Sequence, residues 1–308
     1  MFRLPAVLAP LSRLNGAASG PRMRDETCRI DRRSYGYGLV DGSDDIVILL
    51  HGWGLAHASY RAAGEALGRR GYRVVVPDLP GFGESSDLPL FGVSLRTYSD
   101  AMRRFVEQCG DVAGEPVHLV GHSFGGAVAA QLAHDAPELV KSVTLVSSVS
   151  GPTWRREAET ERLLSERPIW DWGIHLIQEL PLSRFPVAAL DVLRDLSHNV
   201  VWHLPNLGAA VNLIRRSDLR DELTKVREQN IPVAVVWAAG DRVITKACFD
   251  DQCRALGIDG TVVDGNHGWP LARPGSFGRT IGEIIRSMNS RDLRAARPES
   301  DGEVVCPS

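Results

Sequence analysis

Cysteine is scarce in this chain. The five present (Cys28, Cys109, Cys248, Cys253 and Cys306) are an odd number, scattered, with no Cys-x-x-Cys pair. That argues against a disulfide framework and against a zinc site, and it suits reduced thiols in a cytoplasmic protein. No apolar run approaches the length needed to span a bilayer. An excess of one charge is also missing. The 35 Lys and Arg stand against 38 Asp and Glu, a formal net charge of −3, with no long basic run. Nucleic acid is therefore not an expected partner. No internal repeat is visible. What remains, at 308 residues, is one large α/β domain, or one domain carrying an insertion, with enough chain to bury a substantial core.

What is present centres on one turn, Gly121-His122-Ser123-Phe124-Gly125-Gly126. Before it, residues 116–120 form a short apolar, β-branched stretch that reads as a buried strand. After it, residues 126–133 are good helix formers. A serine at a sharp strand-to-helix turn, in the pattern Gly-x-Ser-x-Gly, is held in a strained backbone conformation. Side chains two residues away on either side would collide with the neighbouring strand and helix. The turn lifts the Ser123 hydroxyl above the sheet and aims helix N-terminal amides, including that of Phe124, at the same place. The pattern alone occurs by chance, so a base and an acid must follow in a suitable chain order.

In chain order, residues 1–24 combine Leu4, Val7, Leu8, Leu11 and Leu14 at helical spacing with Arg3, Arg13, Arg22 and Arg24. The favoured reading of 1–25 is a loosely ordered extension. Contact with a membrane surface is the alternative. Residues 26–40 suggest an antiparallel hairpin. Strand and helix then alternate through 46–50, 57–70, 73–78, 94–109, 116–120 and 140–147, which argues for a parallel sheet covered on both faces. From Gly151 to about Asn230 no convincing strand is visible. This stretch holds Trp154, Trp170, Trp172 and Trp202, four of the seven tryptophans. It reads as an all-helical cap, residues 151–230, over the carboxyl edge of the sheet. The body, 26–150, resumes over 231–290 with strands at 231–237 and 260–264 and a terminal helix at 274–289. Residues 291–308 read as a disordered tail.

Ser123 needs a base, and imidazole is the usual activator of a hydroxyl at neutral pH. Of the nine histidines, only His267 combines a loop after a strand, glycine neighbours and a place near the end of the body. His267 in turn needs a carboxylate to hold its tautomer. Asp241 ends the preceding strand in Gly240-Asp241-Arg242-Val243-Ile244. Asp264 lies too close in sequence to reach round easily. The order is then Ser123, Asp241, His267.

Together these segments resemble the α/β-hydrolase fold superfamily. The resemblance covers roughly residues 26–289 and rests on five motifs. They are His51-Gly52-Trp53-Gly54, the Asp78–Ser85 turn, the Ser123 elbow, the Asp241 segment and Asn266-His267-Gly268. It implies a mostly parallel central sheet with helices on both faces and an inserted helical cap. It also implies that the backbone amides of Trp53 and Phe124 form an oxyanion hole. The activity it implies is hydrolysis of a small-molecule carboxylic ester, as in carboxylesterases and lipases, with no metal or organic cofactor. Two alternatives stay open, ahead of the cofactor-free perhydrolases and haloperoxidases and the aminopeptidases of this fold. One is hydrolysis of a carbon–carbon bond in a vinylogous diketone, which would call on a cap arginine among Arg155, Arg156, Arg184 and Arg194. The other is a non-catalytic ligand receptor on the same fold. Relatives that use aspartate at the elbow, the haloalkane dehalogenases and epoxide hydrolases, are disfavoured by Ser123.

Overall fold

The computed structural model describes residues 20–89, 91–151, 153–154, 162–163 and 186–295. Ten strands are described: β1 (Arg24–Ile30), β2 (Arg33–Val40), β3 (Ile46–Leu50), β4 (Arg73–Pro77), β5 (Val117–His122), β6 (Val140–Val146), β7 (Thr153–Trp154), β8 (Arg162–Leu163), β9 (Val233–Ala238) and β10 (Thr261–Val263). The helices are α1 (Arg61–Gly68), α2 (Leu95–Gln108), α3 (Phe124–Asp135), α4 (Pro186–Trp202), α5 (Leu204–Arg215), α6 (Arg220–Glu228), α7 (Lys246–Leu256), α8 (Trp269–Ala272) and α9 (Pro274–Ala295). No helix among the described residues is long and apolar enough to cross a membrane.

Eight strands form one sheet in the order β1-β2-β4-β3-β5-β6-β9-β10. The hairpin strand β2 runs antiparallel to β1 and β4, and the remaining pairs are parallel. The central strands read as unbroken apolar runs because both faces are covered. Ile48 and Leu50 enter one core with α2, α3, α6 and α7. Val47 and Leu49 enter the other with α1 and α9. The chain moves outward from β3 to β4, then crosses back to lay β5 on the other side of β3. That reversal opens a crevice at the carboxyl ends of the strands, the usual ligand position in open α/β sheets. Register puts Gly121 between Leu50 of β3 and Leu145 of β6, so the turn after β5 emerges at that crevice.

The structure departs from expectation in three places. The stretch after Gly151 is not free of strand, since Thr153-Trp154 pairs antiparallel with Arg162-Leu163. Two residues per strand are too few to leave a periodic signal. The body also resumes before residue 231. Leu219, Leu223 and Val226 bury the apolar face of α6 in the core that contains Val128 and Ala129 of α3. Finally, α9 runs through Ala295, into the stretch assigned to the tail. Residues 290–295 hold no Gly or Pro, and the first breaker is Pro298. Residues 1–19 and 296–308, like Trp170 and Trp172, lie outside the described residues.

Candidate active site

Ser123 sits between β5 and α3 with φ 54° and ψ −118°. A non-glycine residue holds such a conformation only when its surroundings over-determine it. Here the main chain does so. The Ser123 N–H donates to Val146 O at 3.0 Å, and its carbonyl accepts from Gly126 N–H (3.0 Å) and Val149 N–H (3.2 Å). The flanking glycines are required by backbone atoms. A Cβ on Gly121 would lie 2.5 Å from Gly125 O, and one on Gly125 would lie 2.4 Å from Leu50 O.

Three side chains from distant loops meet at this turn. His267, in the loop between β10 and α8, places Nε2 3.0 Å from Ser123 Oγ. Its Nδ1 lies 2.9 Å from Asp241 Oδ2. The other carboxylate oxygen, Oδ1, accepts from the Val243 and Ile244 amides at 2.8 Å each, so Asp241 cannot rotate freely. A carboxylate only accepts, so Nδ1 of His267 carries the proton and Nε2 offers a lone pair to the Ser123 hydroxyl. All three are buried: 6 % of Ser123, 4 % of His267 and 6 % of Asp241 is exposed. The rival acid Asp264 is exposed.

Trp53 follows β3 and Phe124 opens α3. Among the described residues, neither amide N–H has a hydrogen-bond acceptor. The Phe124 ring is fixed edge-on against Tyr98, with centroids 5.1 Å apart. The Trp53 indole donates to Leu207 O in α5 at 3.0 Å. Of the arginines named for the alternative chemistry, Arg194 is exposed and the other three lie outside the described residues.

Several residues of this region are given no role by the sequence. The Tyr60 hydroxyl accepts from Gly52 N–H (3.0 Å) and donates to His122 Nδ1 (2.5 Å). His122 Nε2–H donates to the carbonyl of His267 at 2.9 Å. Burial drives the pKa of His122 well below the ordinary imidazole value, and the nearby His267 adds to this; the bond to the His267 carbonyl opposes it. His51 is likewise lowered, chiefly by burial; its Nδ1–H donates to Gly52 O and its Nε2 accepts from Leu79 N–H, each at 2.9 Å. Asp195 and Asn199 of α4 reach the loop after β3. A signal for these two exists: they fall on the same helical stripe as buried Ala189 and Val192, where apolar residues belong. Tyr60 carries no comparable signal.

Comparison with known proteins places this arrangement. The family model described as "alpha/beta hydrolase fold" matches residues 45–167. A pimeloyl-[acyl-carrier protein] methyl ester esterase from Aeromonas hydrophila subsp. hydrophila is 31 % identical over 218 residues, 67 % of this chain and 81 % of that protein. The dihydrolipoyllysine-residue acetyltransferase component of the acetoin cleaving system of Cupriavidus necator is 42 % identical over 113 residues. That match covers 37 % of this chain but only 29 % of that protein. In three dimensions, a thermophilic esterase from Thermogutta terrifontis superposes with a TM-score of 0.67 at 21 % identity, covering 86 % of this chain and 99 % of that one. With the sheet order, the serine turn at its switch point and these relatives agreeing, the chain belongs to the α/β hydrolase fold family.

Proposed function

We propose that the protein is a serine hydrolase that cleaves a small-molecule carboxylic ester through an acyl-enzyme intermediate. One observation carries this reading: the continuous hydrogen-bonded line from Asp241 through His267 to Ser123 Oγ. The relative named as a methyl ester esterase supports the same chemistry.

Ser123 Oγ attacks the ester carbonyl while His267 Nε2 takes its proton. Asp241 holds the imidazole and stabilises its positive charge. The amides of Trp53 and Phe124 receive the negative oxygen of the tetrahedral intermediate, each donor worth about 3 kcal/mol. His267 then protonates the departing alcohol. Water, deprotonated by the same imidazole, attacks the acyl-enzyme and frees the acid. Every step uses groups of this chain, substrate and water.

The test is a fluorophosphonate label together with a hydrolysis screen of aryl and alkyl esters of graded acyl length, a vinylogous diketone included. The wild type is expected to label and to hydrolyse esters. Ser123→Ala is expected not to label, with kcat lower by a factor of about 10⁴ or more. Ester hydrolysis that survives in Ser123→Ala sinks the proposal. Turnover of the diketone alone moves the reading to carbon–carbon bond cleavage, and no labelling with no turnover moves it to a receptor.

A further inference from the structure

The helical insertion touches the catalytic loops through polar side chains. The loop from Trp53 to Ser59 leaves β3 with its backbone groups turned up under α4, and it turns at Gly54, whose φ is +77°. Carbonyls and amides buried there need partners. The body serves the Leu55 and His57 amides, through Gly52 O and Asp78 Oδ1, and α4 serves the Gly54 and Leu55 carbonyls and the Ala56 and Ser59 amides. Asn199, which is 0 % exposed, donates from Nδ2 to Gly54 O (2.9 Å) and Leu55 O (3.3 Å). Its Oδ1 accepts from Gly83 N–H in the loop after β4 (2.8 Å). One turn earlier, Asp195 Oδ2 accepts from Ala56 N–H (3.0 Å), Ser59 N–H (3.1 Å) and Ser59 Oγ (2.5 Å). The Trp53 indole is tied to Leu207 of α5. His198 and His203 both contact the Gly83 carbonyl at 3.0 Å.

Residue chemistry matches these demands. A primary amide can serve two carbonyls and one amide at once, and a carboxylate cannot. A carboxylate, in turn, suits the three donors that converge on Asp195. The residues held in this way, Gly54, Leu55 and Ala56, directly follow Trp53, whose amide is a proposed oxyanion donor. A donor acts well only when it is fixed before charge develops.

We propose that Asp195 and Asn199 are positioning residues that orient the Trp53 amide, so that the insertion completes the oxyanion hole as well as covering the site. This rests on the serine-hydrolase reading. Displacing a reacting group by about 1 Å can cost about 100-fold in rate. In Asn199→Ala, Asn199→Asp and Asp195→Ala, kcat per active site is therefore expected to fall about 10- to 100-fold, with KM within about threefold of wild type. Asp195→Asn keeps an acceptor oxygen and is expected to restore most of the activity. Asn199→Asp sets a carboxylate oxygen against two carbonyls and is not expected to rescue.

The experiment is ester hydrolysis with active sites titrated by fluorophosphonate, which corrects for misfolded enzyme. Affinity for an arylboronic acid, whose serine adduct puts an oxygen in the hole, is measured beside it. Boronate affinity is expected to fall with kcat while KM holds. A kcat per titrated site that matches wild type in Asn199→Ala and Asp195→Ala overturns the proposal and leaves a purely structural staple. Should those variants not fold, Ser59→Ala removes only the hydroxyl donor to Asp195 Oδ2. Its kcat is expected to fall about 3- to 10-fold by the same loss of orientation, and an unchanged kcat overturns the proposal equally. Failure of the underlying reading looks different: Ser123→Ala itself retains turnover.

Discussion

Asp241 uses its two oxygens for separate tasks, and that separation dictates what an amide would do in its place. Oδ1 is held by the Val243 and Ile244 amides and Oδ2 faces His267. In Asp241→Asn the carbonyl oxygen must take the Oδ1 position, because only it can accept those two bonds. The NH2 group then faces His267 Nδ1, which must present a lone pair, and the proton moves to Nε2. An imidazole protonated at Nε2 cannot take the proton of Ser123. The expected loss is about 10⁴-fold in kcat with little change in KM, read from steady-state kinetics of a folded variant with wild-type melting behaviour. A loss under tenfold would mean that the carboxylate does not set the tautomer.

At the scale of elements, the strand–turn–helix unit around Ser123 is the most constrained part of the fold. Gly121→Ala would push a methyl group into Gly125 O and the Gly126 Cα, each 2.5 Å from the new carbon. Backbone atoms cannot move aside as a flexible side chain can. Overpacking of this kind typically costs about 1–3 kcal/mol. In a chain of this size that lowers the melting temperature by about 2–5 °C, measurable by calorimetry. The same constraint made the unit legible from sequence. A strand buried on both faces has to be an apolar run, and close backbone approach has to be met by glycine. Asp241 and His267 were legible because each closes such a run. The Thr153–Trp154 and Arg162–Leu163 ladder is too short to show a period. Helix α6 reads like its neighbours, and only its contact with α3 and α7 returns it to the body. His198 and His203 look like ordinary polar residues, and Asp195 and Asn199 are marked only by sharing a stripe with Ala189 and Val192, because the partners of all four are backbone groups more than a hundred positions away.

Over the whole molecule, buried histidines link folding to pH. His51 and His122 have folded-state pKa values below the ordinary one. Below about pH 6.5 the unfolded chain takes up protons there that the folded chain refuses, so these two destabilise the fold as pH drops. For His57, burial opposes the charge but the carboxylate of Asp78 prevails and raises the pKa. It acts in the opposite sense: its stabilisation is present at low pH and is lost as pH rises through its folded-state value. His122, whose value lies well below the ordinary one, outweighs His57, so the melting temperature is expected to fall between about pH 7.5 and 5.5, with a shallower slope in His122→Gln. A rising wild-type curve would contradict the assignment of His122, wedged among Tyr60, His51 and His267, as neutral.

The stretch proposed as the insertion begins after β6, and the chain returns to the body through α6 and then β9, which lies beside β6 in the sheet. Entry and exit are thus adjacent, the ideal junction for trading one lid for another between kin. Yet a borrowed lid would arrive without an amide to catch the Gly54 carbonyl or an acid to gather the amides of Ala56 and Ser59. Chimeras that swap this module should therefore bind new esters while turning them over poorly, until those two anchors are grafted back.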